Sequence, residues 1–438
     1  MAAYGVFLAY AVLSAIFAGD RDQVWAIWAA CGYAAALLLL WRWGARTAAV
    51  AVAVAVAVVA PLLVLSVAYP LEAGMVVIDR SATLLIHHGS PYLPSAQVTS
   101  WLSYNPYLPV MTLFGLPGAA GLAGLAGNSG VWLALGTVAI LGVTFRLAMP
   151  HQHCASCRRD ALLATAIAVA SPVLALNLAV ITTDPPVLAL MLLALVLAAG
   201  SARAANPARA AHPGRAAHPG RAAHPARAAI VRAAGSGAVL GVACDLKSTA
   251  WLAVPVMAAM FASGDGVRTA GRFIGAAVLT AVVLIAALAP ATLFRREAAV
   301  AMVQNSVLFP LGLTHDKTPA ESLLPGHLLT ELGTAGHVVS VGLLIAAGLA
   351  VAISLVIRPP RDLSAACWRL AIGLALMFLL GPDVRFGYFI YPLGLLGWLA
   401  LNPKDPQASG AAAAENQFAD ARADARLWKA GRAAAERE

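Results

Sequence analysis

Charge is what this chain has least of. Asp, Glu, Lys and Arg together make up 11% of its 438 residues, against about a quarter in an ordinary soluble domain. With 61% hydrophobic residues and a mean hydropathy of +0.80, a fold that hides its apolar surface from water is excluded. Polarity does not alternate along the apolar runs, which excludes a membrane β-barrel. Cysteine is scarce too, at five residues, mostly within apolar runs. Cys154-x-x-Cys157 with His151 and His153 has metal-like spacing, but no second pair accompanies it. It stands between a zinc reading and a solvated loop, and we expect no metal. The first apolar run, about residues 4–18, lacks a charged leader and a cleavage site, so we expect a retained span and not a signal peptide. The net charge of +9 comes from residues scattered over loops and not gathered on one face, which argues against a nucleic-acid partner. No repeat relates the two halves.

What is present is a series of runs near the length that crosses a hydrocarbon core. The chain reads as an all-α polytopic membrane protein of about 12 spans, at 4–18, 23–41, 47–69, 131–149, 161–181, 185–200, 234–246, 249–262, 273–293, 333–357, 366–381 and 387–402. Residues 106–126 are apolar but broken by Pro106, Pro109, Pro117 and glycines, which suits a kinked or re-entrant segment. With the amino terminus in the cytoplasm, most of the 29 basic residues fall inside, as the positive-inside rule requires. Two long segments, about 70–130 and 294–332, are then external. The stretch "NPARAAHPGRAAHPGRAAHPARAA", within about 201–232, reads as a cytoplasmic low-complexity spacer. Residues 403–438 read as a charged cytoplasmic tail after a membrane domain at 1–402.

The unusual polar residues gather outside. In "LEAGMVVIDRSATLLIHHGSPYLP" Met75, Ile78, Ala82 and Leu85 recur at helical spacing, with Glu72, Asp79, Thr83 and His87 on another side. That predicts an amphipathic helix at the outer membrane face, stopped by Gly89 and Pro91. Further on stand "SYNPYLP", "LAVITTDPPVLALMLLAL", "GVACDLKSTAWLAVPVMAA" and "GPDVRFGYFIYPLGLLGW". Lys247 lies between two apolar segments, where an unpaired ammonium is costly. Either it meets a phosphate or it pairs with Asp245 two residues away. Arg385 has the same ambiguity with Asp383. Arg295 and Arg296 read as headgroup anchors, and His315 with Asp316 lies in a polar loop.

An acid-bearing helix after the early spans, then Gly89-Ser-Pro91-Tyr92, then Tyr104-Asn105-Pro106, resembles the GT-C superfamily of glycosyltransferases. It is most similar to the family 87 polyprenol-phosphate-mannose-dependent mannosyltransferases. Thr182, Thr183 and Asp184 stand where that family has a short polar turn, Lys247 where its helical hairpin keeps a lysine, and "GPDVRFGYF" resembles its last polar loop. The resemblance implies a metal-independent, inverting transfer of a sugar, mannose in that family, from a polyprenyl phosphate to a lipid or glycan of the cell envelope. It implies no cofactor, contact with membrane lipids, and a site on the external face of a bacterial plasma membrane. The Ala, Gly and Arg richness suits a GC-rich genome and hints at an actinobacterial envelope.

On this reading Asp79 or Glu72 takes the acceptor proton. Lys247, Arg385 and Arg80 hold the donor phosphate. His87, His88, Tyr92, Tyr104, Asn105, Asp184 and His315 line the substrate. The competing classes are a transporter or lipid flippase and a non-catalytic protein of the same fold that binds lipid. A transferase expects the acid and the cations around one outward cavity, a transporter along a path across the membrane.

Overall fold

Apolar runs punctuated by Gly, Pro and charged turns fold here as helices, and the punctuation sets where each begins and ends. The computed structural model describes residues 1–149, 155–199, 223–314, 316 and 322–401. By its internal contacts the chain divides at Leu399, and residues 1–399 form the unit considered below. Among the described residues there is no β-strand. The helices are α1 (Ala2–Phe17), α2 (Asp20–Trp43), α3 (Arg46–Val54), α4 (Ala60–Ala68), α5 (Ala73–His88), α6 (Leu116–Ala119), α7 (Ser129–Ala148), α8 (Ala155–Ala170), α9 (Pro172–Ala179) and α10 (Pro185–Ala199). After the linker come α11 (Ala223–Cys244), α12 (Ala253–Gly264), α13 (Val267–Leu288), α14 (Ala291–Phe294), α15 (Arg296–Val303), α16 (Pro325–Thr330), α17 (Thr334–Ile357), α18 (Leu363–Leu380) and α19 (Ile390–Leu401).

The chain is a multi-pass membrane protein, but the span count differs from expectation. All twelve expected segments are helical. Among the described residues seven helices are long and apolar enough to cross, or eight if the bent α8–α9 pair counts as one. Helices α1, α10, α12 and α19 are shorter. Within the described residues α10 starts at Pro185 after the polar turn at 182–184, and α12 follows the 3-10 turn at Ser248–Leu252. Residues 106–126 do not form a membrane-length helix. Prolines 109 and 117 confine them to a 3-10 turn at Pro109–Gly115 followed by the single turn of α6.

Proline breaks are healed by neighbouring groups. Pro61 cannot donate to the carbonyl four residues back, at Ala57. The helix widens into a π turn at Ala55–Val59, and the Trp25 indole N–H donates to Ala57 O at 2.9 Å. Helices α8 and α9 meet at a bend of 70° before Pro172. There the Ser171 hydroxyl donates to Ala168 O at 2.6 Å and the Tyr33 hydroxyl to Ala170 O at 2.7 Å. Inside hydrocarbon, freed carbonyls need such partners.

Helices α11 and α13 approach backbone to backbone. A Cβ at Gly237 would lie 2.3 Å from Phe273 O, and one at Gly241 2.5 Å from Ala277 O, the close packing that a small-xxx-small stripe permits. Helix α17 is exposed on most of its apolar surface, at Val338, Ile345, Leu349 and Val356 among others, as a lipid-facing helix should be.

One end of the bundle is rich in arginine. Arg232 pairs with Asp265 at 3.4 Å, and Arg369 donates to Ser354 Oγ and to Arg358 O. The opposite end carries the polar turns after α4, α7's first turn, and the segments after α9, α11, α14 and α18. These are tied to each other. Arg21 donates to Pro70 O, Leu108 N–H to Leu246 O at 3.2 Å, and Val110 N–H to Asp245 O at 3.1 Å.

Candidate active site

The expected amphipathic helix is α5. Glu72 caps it, its carboxylate accepting the Gly74 N–H at 2.5 Å, and Gly89 ends it with φ 65°. Glu72 therefore does not lie on the helix face with Asp79. It sits at the N-terminus, where an anion is favoured by the unpaired N–H groups and the helix dipole. Gly74 is a point of convergence. A Cβ there would lie 2.8 Å from both Glu72 Oε2 and Tyr107 Oη, and 3.3 Å from Thr183 Cγ2. Burial pushes the Glu72 carboxyl above its ordinary range; the Gly74 N–H, Arg385 and Arg21 pull it back, and the Asp184 charge adds to the rise.

Thr183 and Asp184 reach this point through a strained turn. Ile181 has φ 67°, a left-handed conformation that a β-branched residue rarely adopts and that costs about 1–2 kcal/mol. Its side chain fills the space above Gly130, where a Cβ would lie 2.0 Å from Ile181 Cγ2. Thr182 is held by Asn177 through its hydroxyl at 2.9 Å and its N–H at 2.9 Å.

Asp184, buried, accepts from Lys247 Nζ at 2.6 Å and from the Tyr391 hydroxyl at 2.8 Å on the same oxygen. Lys247 is buried as well. Its ammonium stands 4.5 Å from the Tyr388 ring centroid and 6.0 Å from that of Tyr107, both within cation–π range. The sequence offered Asp245 as the structural partner of Lys247, and the structure gives Asp184 instead. Asp245 makes no ion pair with the lysine within 4.0 Å among the described residues. It is buried, and neither carboxyl oxygen has a hydrogen-bond partner.

Arg385 is exposed on a loop fastened from below. His327 Nδ1 is 3.0 Å from Pro382 O, and the Ser340 hydroxyl donates to Leu380 O at 2.7 Å. Asp383, the alternative partner for Arg385, has its Oδ2 2.8 Å from where a Gly312 Cβ would stand, beside His337.

The other candidates separate into groups. Asp79 is acted on by its own burial, which raises its carboxyl, and by Ser129, which lowers it; Ser129 is the first residue of α7. The first turn of α7 is capped by Asn128, one Asp79 oxygen is buried without a hydrogen-bond partner, and among the described residues no cation acts on its carboxyl as Arg385 and Arg21 act on Glu72. Arg80 donates to Leu102 O at 2.6 Å, Ser103 O at 3.0 Å and Tyr104 O at 3.5 Å. Its guanidinium clasps the external loop. Asn105 accepts the Tyr107 N–H at 3.0 Å and donates to Pro91 O at 3.3 Å, while its own N–H meets Asn305 Oδ1 at 2.6 Å. Tyr104 stacks on Phe309 at 4.3 Å and 5°, and the Tyr92 hydroxyl donates to Tyr107 O at 3.0 Å. These residues hold the loop that presents Tyr107. His87 and His88 are exposed at the far end of α5.

His315, Lys317, and the His151, His153 and Cys154 cluster lie outside the described residues, as does the Cys157 side chain. Among the described residues no three His, Cys, Asp or Glu side chains come together as ligands.

The sequence did not single out Arg21, Tyr107, Thr183, Tyr388 or Tyr391 as site residues on their own account. An arginine beside the short turn between the first two apolar helices was one available signal. The tyrosines of "NPYLP" and "FGYFIY" gave none, since aromatics are ordinary at membrane interfaces.

No protein-family profile matches the chain, and no curated protein matches it. Solved structures similar to it in part include the following two. Both are ArnT from Cupriavidus metallidurans. The one bound to undecaprenyl phosphate has 14% identity and a TM-score of 0.47; the apo form has 17% and 0.45. Each comparison covers 84% of this chain and 62% of the other, so the chain spans under two thirds of the length of the structures it matches.

Proposed function

We propose that this protein is a membrane-embedded glycosyltransferase of the GT-C type, with Glu72 as general base. The observation that carries the reading is the position of that carboxylate: half-buried, raised by burial, and within electrostatic reach of Arg385, Arg21 and Asp184. A base must hold a proton loosely enough to release it and tightly enough to take it near working pH. A carboxylate raised by burial but ringed by cations meets that need.

The acceptor hydroxyl gives its proton to Glu72 as its oxygen bonds to the sugar's anomeric carbon. The bond from that carbon to the phosphate oxygen breaks, and the electron pair leaves with polyprenyl phosphate. Arg385, exposed beside Glu72, meets the charge that develops on the phosphate; Arg21 adds to the field. Lys247 is already compensated by Asp184, so we assign it to positioning. It fixes the Thr183–Asp184 turn and the Tyr107 and Tyr388 rings around the reacting centre. The sugar is mannose on the strength of the sequence resemblance.

All these groups lie at the end of the bundle opposite the arginine-rich turns. The Lys/Arg bias supports an external location for that end, where a lipid-linked donor suits the absence of nucleotide sugars. A cluster at one end also speaks against a transporter, which needs ionisable groups near the midplane. The test is transfer by the purified protein in lipid nanodiscs, offered radiolabelled polyprenyl phosphates of mannose, glucose and arabinose with extracted envelope glycolipids. Labelled product from at least one donor is expected. No transfer from any of them would overturn the proposal.

A further inference from the structure

A cavity of about 270 Å³ lies at the other end of α5 from Glu72, between the last turn of α5, the loop that follows it, and α14–α15. It is apart from the Glu72 cluster. Helix α5 has 16 residues, about 24 Å at the helical rise. The lining is mixed in sign and in hydrogen-bonding sense. His88, Arg295 and Gln97 bring donors, Glu297 brings an acceptor-only carboxylate, Ser90 brings a hydroxyl, and Tyr92 closes one wall. Tyr92 is 4% exposed and its hydroxyl is committed to Tyr107 O, so it closes a wall with a ring edge, and Leu84 and Pro94 supply the apolar surface.

That set of groups discriminates between ligand classes. A phosphate site does not place a carboxylate among its donors, because the two anions repel. Five lining side chains are polar, beside Leu84, Pro94 and three alanines, and an acyl-chain site does not gather so many. A sugar ring offers hydroxyls that both donate and accept, and C–H faces that pack on an aromatic ring. We propose that this cavity binds one neutral sugar unit of an extended glycan acceptor. The proposal rests on the transferase reading and deepens it: the acceptor is an oligosaccharide or polysaccharide chain, whose reacting hydroxyl lies at Glu72 while a residue several units away sits between α5 and α15. The loop from Ser90 to Tyr107 joins the two places, since Tyr92 lines the cavity and bonds the backbone of Tyr107.

Binding is measured first, without catalysis. The full chain in nanodiscs is titrated with neutral mannose oligosaccharides of increasing length, followed by saturation-transfer NMR. Oligosaccharide signals that weaken in Glu297→Ala and in Gln97→Ala are expected. Equal binding by both variants and the unaltered protein overturns the proposal, as does competition by inorganic phosphate with no oligosaccharide signal. Where transfer is detectable, the ratio of KM for a long acceptor to KM for a single-sugar glycolipid should fall well below one in the unaltered protein. In Glu297→Ala it should rise by roughly tenfold, the loss of a charge-assisted hydrogen bond. A ratio unchanged by either substitution overturns it. Because binding needs no turnover, oligosaccharide binding without any transfer would count against the enzymatic proposal alone.

Discussion

Removing Lys247 separates its two candidate roles. As a positioning residue it is the buried half of an ion pair with Asp184 at 2.6 Å, with side-chain exposures of 10% and 6% for the two partners. Lys247→Met keeps the length and the apolar stem but leaves Asp184 with only the Tyr391 hydroxyl. Stripping one partner from a buried pair costs about 3–5 kcal/mol, mostly the penalty of an uncompensated charge. Asp184→Asn strips the other partner and should cost a similar amount. The double variant has no buried charge left at this place, so its cost should fall short of the sum by about 1–3 kcal/mol, the coupling range of contacting residues. Equilibrium unfolding in mixed detergent micelles, read by tryptophan fluorescence, measures all four corners of the cycle. Additive costs would refute the reasoning. So would a Lys247→Met variant that loses under about 1 kcal/mol yet no longer binds polyprenyl phosphate, since that pattern belongs to a direct phosphate ligand.

The base assignment predicts that Glu72→Gln lowers the transfer rate by about 10²–10⁴-fold, while Asp79→Asn, on α5 beside Ser129, stays within a few-fold; the same radiolabel assay reads both, and the reverse pattern would make Asp79 the base. The rate should rise with pH as Glu72 loses its proton, with a midpoint above the ordinary glutamate value of about 4.3, because burial raises this carboxyl. Arg385→Gln removes a charge that favours the carboxylate, so a pH–rate profile should show the midpoint moving further up. Away from the site, Trp25→Phe leaves the Ala57 carbonyl at the Pro61 break without its indole donor and should cost about 1–3 kcal/mol, measured by the same unfolding assay.

Helical periodicity and turn residues made much of the fold legible. The runs around α2, α4, α7, α13, α17 and α18, the glycine-terminated α5, and the broken segment before α7 could all be read from hydropathy and from Gly and Pro, but not the cap of α5, where Glu72 stands before the helix and not on its face. Span length was less legible. Helices α10 and α12 end where polar turns enter the bundle from one side, and that depth comes from packing. The site was half legible. Glu72, Asp184, Lys247 and Arg385 stand out because charges are rare in so apolar a chain, and they do gather at one end. Their pairing was not readable. Asp245 is the near neighbour of Lys247 in sequence, but the ammonium goes to Asp184, 63 residues away, at 2.6 Å, and neither Asp245 carboxyl oxygen has a hydrogen-bond partner. Arg80, Tyr104 and Asn105 show the converse limit. Their residue types suit a ligand equally well, and only the carbonyls and rings they meet reveal that they hold a loop.

Local preference and tertiary structure disagree in few places, and several of the disagreements lie together. Ile181 takes a backbone conformation its side chain resists. Lys247 and Asp184 are charges in an apolar interior. Glu72 is a carboxylate whose burial disfavours its charge. A chain free to minimise its energy would relax each of these: glycine at 181, a methionine and a leucine at 247 and 184, a serine cap at 72. Breaches of local consistency persist where the surrounding structure over-determines them, and they concentrate at functional sites. Here they are consecutive links in one chain of contacts. Ile181 sets the turn that carries Asp184, Asp184 anchors Lys247, and Thr183 beside it reaches the Gly74 face of the Glu72 cap. Strain held in such a series fixes the Glu72 carboxylate in place, and on the proposed transferase reading that is the preorganisation electrostatic catalysis requires.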